Sequence, residues 1–213
     1  MEAVQKLKEG YRKFLEGYYK ENADKFSDLV EHGQHPKTLL ISCSDSRVDP
    51  ATILQTEPGE VFAVRNVGNL VPPCEKDAHH HGVSSALEYG VKVLKVENIM
   101  IMGHAHCGAI QAAIDTEDDP EALGTDFVHH WIGMVHKTFQ NPCCCAESIK
   151  SGKRIPEEVE KASIVNSMNN LMEFDFIQER VDRGELKIYG LHFDIESASL
   201  TAYNRKTGEF GPL

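Results

Sequence analysis

The 213-residue chain sets 22 Lys and Arg against 33 Asp and Glu, a formal net charge of −11. That acidity repels phosphate backbones and excludes a dedicated nucleic-acid binder. Its 41% hydrophobic and 26% charged residues exclude wholesale disorder. No apolar run approaches the roughly 18 residues of a membrane helix. The opening MEAVQKLKEGYRKFLEGYYKEN lacks the apolar stretch and small-residue cleavage site of a secretory signal. The expectation is a cytoplasmic protein whose six cysteines are reduced rather than a disulfide framework.

Residues 1–35 place Val4, Leu7, Tyr11, Phe14, Leu15, Tyr18 and Tyr19 at near-helical spacing, which predicts one or two amphipathic helices. Such an arm must bury its aromatic stripe, on its own core or on a partner subunit. After His35-Pro36, Thr38–Ser42 is a strand running into CSDSR. Val61–Val64 is a second strand, followed by RNVGN and the break Pro72-Pro73. Residues 82–96 carry Val83, Ala86, Leu87, Val91 and Leu94 at helical spacing. Asn98–Met102 is a third strand, ending at Gly103-His104, and AHCGAIQAAI starts a new helix. Residues 115–155 are the least regular, with a short helix around Trp131 and the loop holding Cys143, Cys144 and Cys145. One helix is predicted over 156–183, with Pro156 in its first turn and Gly184 at its stop. Leu186–Asp194 is a fourth strand, onto which Ala198–Tyr203 pairs back. Alternating strands and helices predict an α/β fold: a mainly parallel central β-sheet flanked by helices, with an N-terminal helical arm.

In open α/β sheets, ligands collect at the carboxyl ends of the strands. Cys43 ends the first strand, and His104 and Cys107 follow the third. One imidazole and two thiolates form a suitable three-ligand zinc set, leaving a fourth position for water or substrate. Asp45 is then either the fourth ligand or the acceptor of a hydrogen bond from zinc-bound water, and Arg47 can pair with it and hold it off the metal. Zinc(II) with two thiolates and a neutral imidazole carries no net charge, so it acidifies water less than a three-histidine site. A nearby carboxylate that orients the water therefore has a purpose. The bland alternative is a structural zinc with Asp45 as its fourth ligand. His79, His80 and His81 read as a solvated loop or a proton relay. His106 points away if His104 and Cys107 share a face. Cys143–Cys145 read as a partly exposed loop, and Cys74 as a small buried residue.

With these motifs in place, the sequence resembles the β-class carbonic anhydrases. The resemblance is carried by CSDSRVDP (43–50), PGEVFAVRNVGNLVPP (58–73), ALEYGVKVLKVENIMIMGHAHCGAI (86–110) and IYGLHFDIESASL (188–200). It implies a zinc lyase that reversibly hydrates carbon dioxide to bicarbonate and a proton by zinc-hydroxide attack. Zn2+ would be held by Cys43, His104 and Cys107, with Asp45 and Arg47 as the catalytic dyad and the backbone N–H of Gly108 helping to bind substrate. It also implies the plant-like subtype, whose substrate pocket falls here on Gln34, Phe62, Val67 and Tyr89. Several of these come from a neighbouring subunit, so the implied unit is a homodimer, often joined into tetramers or octamers. The division is an arm over 1–35, packing on the partner, and a single α/β zinc-binding catalytic domain over 36–213. The other subtype builds a noncatalytic bicarbonate site from Trp, Arg and Tyr. Here those positions are Leu40, Arg65 and Phe193, so Asp45 is expected to stay off zinc at neutral pH. Relatives that share the zinc motif and use carbon disulfide are the rival among enzymes. A noncatalytic zinc scaffold or bicarbonate sensor is the rival outside them.

Overall fold

A computed structural model of the chain describes residues 2–77, 79–140 and 146–213. The arm is α1 (Glu2–Phe14), one turn of π-helix (Leu15–Tyr19) and α2 (Ala23–His32). Then follow β1 (Thr38–Cys43), α3 (Pro50–Leu54), β2 (Val61–Asn66), α4 (Gly82–Glu88) with a π turn to Val93, β3 (Asn98–His104) and α5 (Gly108–Asp115). The remainder is α6 (Val128–Gln140), α7 (Glu147–Lys150), α8 (Pro156–Leu171), α9 (Asp175–Asp182), β4 (Lys187–Phe193), β5 (Leu200–Asn204) and β6 (Glu209–Pro212).

Among the described residues, six strands form one sheet in the order β2-β1-β3-β4-β5-β6. The first four run parallel, and β5 and β6 return antiparallel. β1 and β3 are near-continuous apolar runs because helices cover both faces of a parallel sheet: Leu39, Leu40, Ile41, Ile99 and Ile101 are fully buried. The register sets Cys43 opposite Asn66, Ser42 opposite Met102, and His104 opposite Phe193. The carboxyl ends of β1 and β3 are therefore side by side.

α8 lies close on β3 and β4 because two strand positions lack a side chain. A Cβ at Gly103 would sit 2.7 Å from Ile164 Cδ1, and one at Gly190 would sit 2.6 Å from Met168 Sδ. Leu39, Ile41, Ile99, Ile101, Ile164 and Met168 share one core cluster. A second cluster holds Cys43, Val48, Leu70, Cys107, Ile110 and Ile132 at the carboxyl end of the sheet.

The predicted helix over 156–183 is two helices. Phe174 takes extended dihedrals (φ −83°, ψ 110°) before α9 and is 4% exposed in the first core cluster. Sinking that ring requires the chain to leave the helix, a tertiary demand that helical spacing does not encode. The short helix around Trp131 is the 13-residue α6. β6 was not anticipated. Its Glu-Phe-Gly-Pro sequence has no apolar run, and it survives as a short edge strand. Cys143–Cys145 lie outside the described residues. Cys74 is half-buried against the first core cluster rather than fully buried.

The arm buries no residue of α1. Phe14, Tyr18, Tyr19 and Phe26 stack on one another, with Phe26 edge-on to Phe14 at 6.0 Å. Val4, Leu7 and Tyr11 stay 57%, 73% and 62% exposed.

Candidate metal centre

Cys43 is the last residue of β1. His104 is the last of β3, and Cys107 caps the start of α5. Their ligand atoms all lie within 4.8 Å of one another, and all three residues are buried. The two sulfurs are 4.0 Å apart. The turn between the ligands is closed by His106 in the left-handed region (φ 58°), which lets His104 and Cys107 face the same point while His106 turns outward to within 3.4 Å of Glu196.

The donor set fits a zinc ion on two counts. His104 Nδ1 pairs with the carbonyl of Ala105 at 2.9 Å, so that nitrogen donates and Nε2 presents its lone pair. That Nε2 is buried without a hydrogen-bond partner, aimed into the trio. A buried polar atom left so is costly unless something binds it. The thiols complete the fit. A hydrogen bond from Cys107, outweighing burial and helped by His104 and the amides of Asp45 and Gly68, lowers Cys43 to about 4. The hydrogen bond to Cys43, with burial and the Cys43 charge, pushes Cys107 up. Two thiols so close suit a cation that takes both as thiolates.

Asp45 sits just past Cys43 with its carboxylate held by Arg47. The backbone N–H and Nε of Arg47 donate to Oδ1 at 2.9 and 3.0 Å, and Nη2 donates to Oδ2 at 2.7 Å. Nη2 also donates to the carbonyl of His106 at 2.9 Å, tying the pair to the ligand turn. Asp45 Oδ2 stands 4.0 Å from His104 Nε2, beside the trio but outside its ligand cluster. The Arg47 side-chain hydrogen bonds above all, outweighing the effect of burial, hold the Asp45 carboxyl well below the usual carboxylate range.

The whole chain reads as one known architecture. The carbonic anhydrase family model matches residues 38–200. A carbonic anhydrase of Synechocystis is 35% identical over 207 residues, covering 97% of this chain and 73% of that protein. Beta carbonic anhydrase 3 of Arabidopsis thaliana is 35% identical, covering 91% and 74%. The solved β-carbonic anhydrase CcaA superposes with a TM-score of 0.87 at 32% identity, covering all of this chain and 93% of that one.

The chain belongs to the β-carbonic anhydrase family. It is a zinc lyase, and its reaction is the reversible hydration of carbon dioxide to bicarbonate and a proton. A solved chain from the work on two tetrameric β-carbonic anhydrases of Sordaria macrospora shares the fold as well, with a TM-score of 0.76 at 26% identity over 95% of this chain and 97% of that one.

Within one β-carbonic anhydrase chain, the expected site residues fall into two groups. Val67 follows Asn66, the residue paired with Cys43, and Gly108 opens α5 beside Cys107, exposed. Both lie beside the Cys43–His104–Cys107 trio. Gln34, Phe62 and Tyr89 are not. Phe62 pairs with Leu39, four positions before the Asn66–Cys43 pair, or about 13 Å along the strand. Tyr89 stacks on Phe62 at 5.8 Å, and Gln34 is exposed ahead of β1.

Three features escaped the sequence reading. Arg65 donates to the carbonyls of Cys43 and Asp45 and to Asp49 Oδ2, at 3.0, 2.8 and 2.8 Å, pinning the loop between Cys43 and Asp49. Trp131 Nε1 donates to the Val67 carbonyl at 2.6 Å. A cavity of about 880 Å³ runs from Ser44 and Val67 past Trp131 to His80, His81 and His130. His81 is tied to Asp77 at 2.6 Å. No local spacing links these residues. The sequence marks the stretch around Trp131 only as a short helix in the irregular segment 115–155.

Proposed function

We propose that Cys43, His104 and Cys107 hold the zinc, that Asp45 and Arg47 act as its dyad, and that a second copy of the chain completes the carbon dioxide pocket. The observation that carries this reading is the Asp45–Arg47 pair beside a buried, unpartnered His104 Nε2. When bound, zinc supplies a Lewis acid that acidifies water enough to serve as nucleophile near neutral pH. The chain does the rest. Asp45, kept ionised by Arg47, is an acceptor only. It takes a hydrogen bond from the attacking water and turns a lone pair toward the carbon. Because both its oxygens are held, it stays off the metal and the fourth position remains open. The Gly108 N–H, in the first turn of α5 where amides lack an intrahelical acceptor, favours the negative charge that builds on the substrate oxygens. Cys43 and His104 are buried, which removes competing water from the ligand side.

The residues assigned to the pocket but distant from their own metal support the two-copy arrangement. Gln34, Phe62 and Tyr89 reach a metal centre across a subunit boundary, and the exposed stripe of α1 supplies an apolar face for that association. A homodimer is the minimal unit in this reading, with dimer-based tetramers as the larger form. The division into an arm over 1–35 and a catalytic domain over 36–213 follows from it. The plant-like subtype fits too. Leu40 is buried among Ile53 and Leu54, and all three Arg65 hydrogen bonds go to protein acceptors, which leaves no noncatalytic bicarbonate site there. A cytoplasmic location suits the free thiols of Cys43, Cys74 and Cys107. No described helix is long and apolar enough to cross a membrane.

Asp45→Asn tests the dyad. The variant should retain a full complement of zinc and lose about 10²-fold or more in kcat/KM, the scale of a lost proton-handling group. Wild-type turnover in a zinc-replete Asp45→Asn protein would remove Asp45 from the mechanism.

A further inference from the structure

A buried pair of ionisable side chains stands behind the metal centre, unused by the reaction. Glu160 on α8 is 4% exposed and His192 on β4 is 3% exposed. Glu160 Oε1 accepts the backbone N–H of Cys107 at 3.2 Å, and Glu160 Oε2 pairs with His192 Nε2 at 3.0 Å. His192 is in register with Gly103, one residue before His104. A single carboxylate thus joins α8, β4 and the turn that carries two of the three proposed ligands.

The demand for such a group arises in α5. Cys107 is its N-cap, and its N–H is sealed from water because Cys107 is 2% exposed. A capping box would satisfy that N–H with an acidic or amide side chain three residues on. That position is Ile110, which is buried in the core, and the first turn of α5 holds no acidic residue. The carboxylate therefore comes from another helix, beside the positive end of α5. A serine or asparagine would satisfy one N–H at less desolvation cost than two buried ionisable groups. The pair adds rigidity: Glu160 cannot rotate away from Cys107 without also leaving His192.

We propose that Glu160, held by His192, is a positioning residue for Cys107, fixing the turn that aims its thiolate and so slowing release of the metal. The inference rests on Cys107 being a zinc ligand.

Zinc transfer from the loaded enzyme to excess chelator tests it, alongside the absorption spectrum of the cobalt(II)-substituted protein, whose thiolate bands report ligand geometry. Glu160→Ala should release zinc about 10–100-fold faster than wild type, the usual scale for a group that orients a metal ligand, and should shift the cobalt bands. Glu160→Gln keeps an oxygen for the Cys107 N–H and should restore slow release. His192→Phe frees the carboxylate and should release about tenfold faster. A purely structural brace would lower the melting temperature of metal-free and zinc-loaded protein alike and leave release and spectrum unchanged, which overturns the proposal. So would Glu160→Gln releasing as fast as Glu160→Ala. If Glu160→Ala does not fold, slow Glu160→Gln with fast His192→Phe supports the proposal, and any other pattern in that pair overturns it. Cys107→Ser separates the two levels. If it holds zinc like wild type, the ligand reading falls and the inference with it. If it loses zinc while the Glu160 and His192 variants hold theirs, the inference alone falls.

Discussion

Asp45 keeps its charge because Arg47 reaches it through three donors, two on one oxygen and one on the other. A carboxyl held below its ordinary range contributes stability that is complete above about pH 4, where the unfolded group is ionised. That contribution fades progressively below that, and is gone once the pH has fallen through the lower folded value. The window of loss therefore lies on the acid side of any working pH. NMR titration of the Asp45 carboxyl in zinc-loaded protein should show no inflection between about pH 7 and 4. In Arg47→Ala the inflection should move up into the ordinary carboxylate range, with activity falling as Asp45 becomes free to turn to the metal. An unshifted Asp45 in Arg47→Ala would mean that the pair does not set its charge. At this scale the sequence was readable where chemistry follows type and spacing: Cys43, Asp45 and Arg47 in one pentapeptide, His104 and Cys107 in another. Glu160, His192 and Trp131 were not readable. Each meets its partner across at least 32 positions, and each looks alone like any helix or strand residue.

The elements that position the site owe their closeness to glycine. Gly103 and Gly190 face α8 from adjacent strands, and Ile164 and Met168 occupy the space where their side chains would be. Gly190→Ala should overpack this layer and cost about 1–3 kcal/mol of unfolding free energy by denaturant titration. A neutral result would show that Met168 and Ile164 move aside freely. Gly68 serves the site more directly. Its φ of 77° turns the chain after β2, and a Cβ there would stand 3.2 Å from Ala109 in the first turn of α5. The strands were legible because β1 and β3 are apolar runs bounded by polar turns, and their ends carried the ligands. The break between α8 and α9 was not, because burying Phe174 is a choice of the assembled core. Helical propensity runs straight through it.

As a whole molecule the chain holds its Cys43–His104–Cys107 trio, with Val67 and Gly108, in one place and the proposed pocket residues Gln34, Phe62 and Tyr89 in another. One sequence cannot display that separation, since Gln34, Phe62 and Tyr89 reveal their distance from Cys43 only once β1 and β2 are in register. The arm tells the same story in apolar surface, with Leu7 and Tyr11 mostly exposed on a helix that buries nothing. Charging that stripe with Leu7→Asp and Tyr11→Asp should shift the protein toward monomer in light scattering at micromolar concentration, and activity should fall with the assembled fraction. A fully active monomer would place the whole pocket within one chain.

The central claim is an open three-ligand zinc site with Asp45 held aside by Arg47. Stopped-flow carbon dioxide hydration tests it most directly, on protein with one zinc per chain and from roughly pH 6.5 to 9, a range that spans the titration of metal-acidified water. The account predicts fast turnover that vanishes on chelation, returns with zinc and rises smoothly with pH, since no protein carboxylate has to leave the metal first. No turnover at any pH with zinc in place, or activity that appears only above a steep threshold, would contradict it.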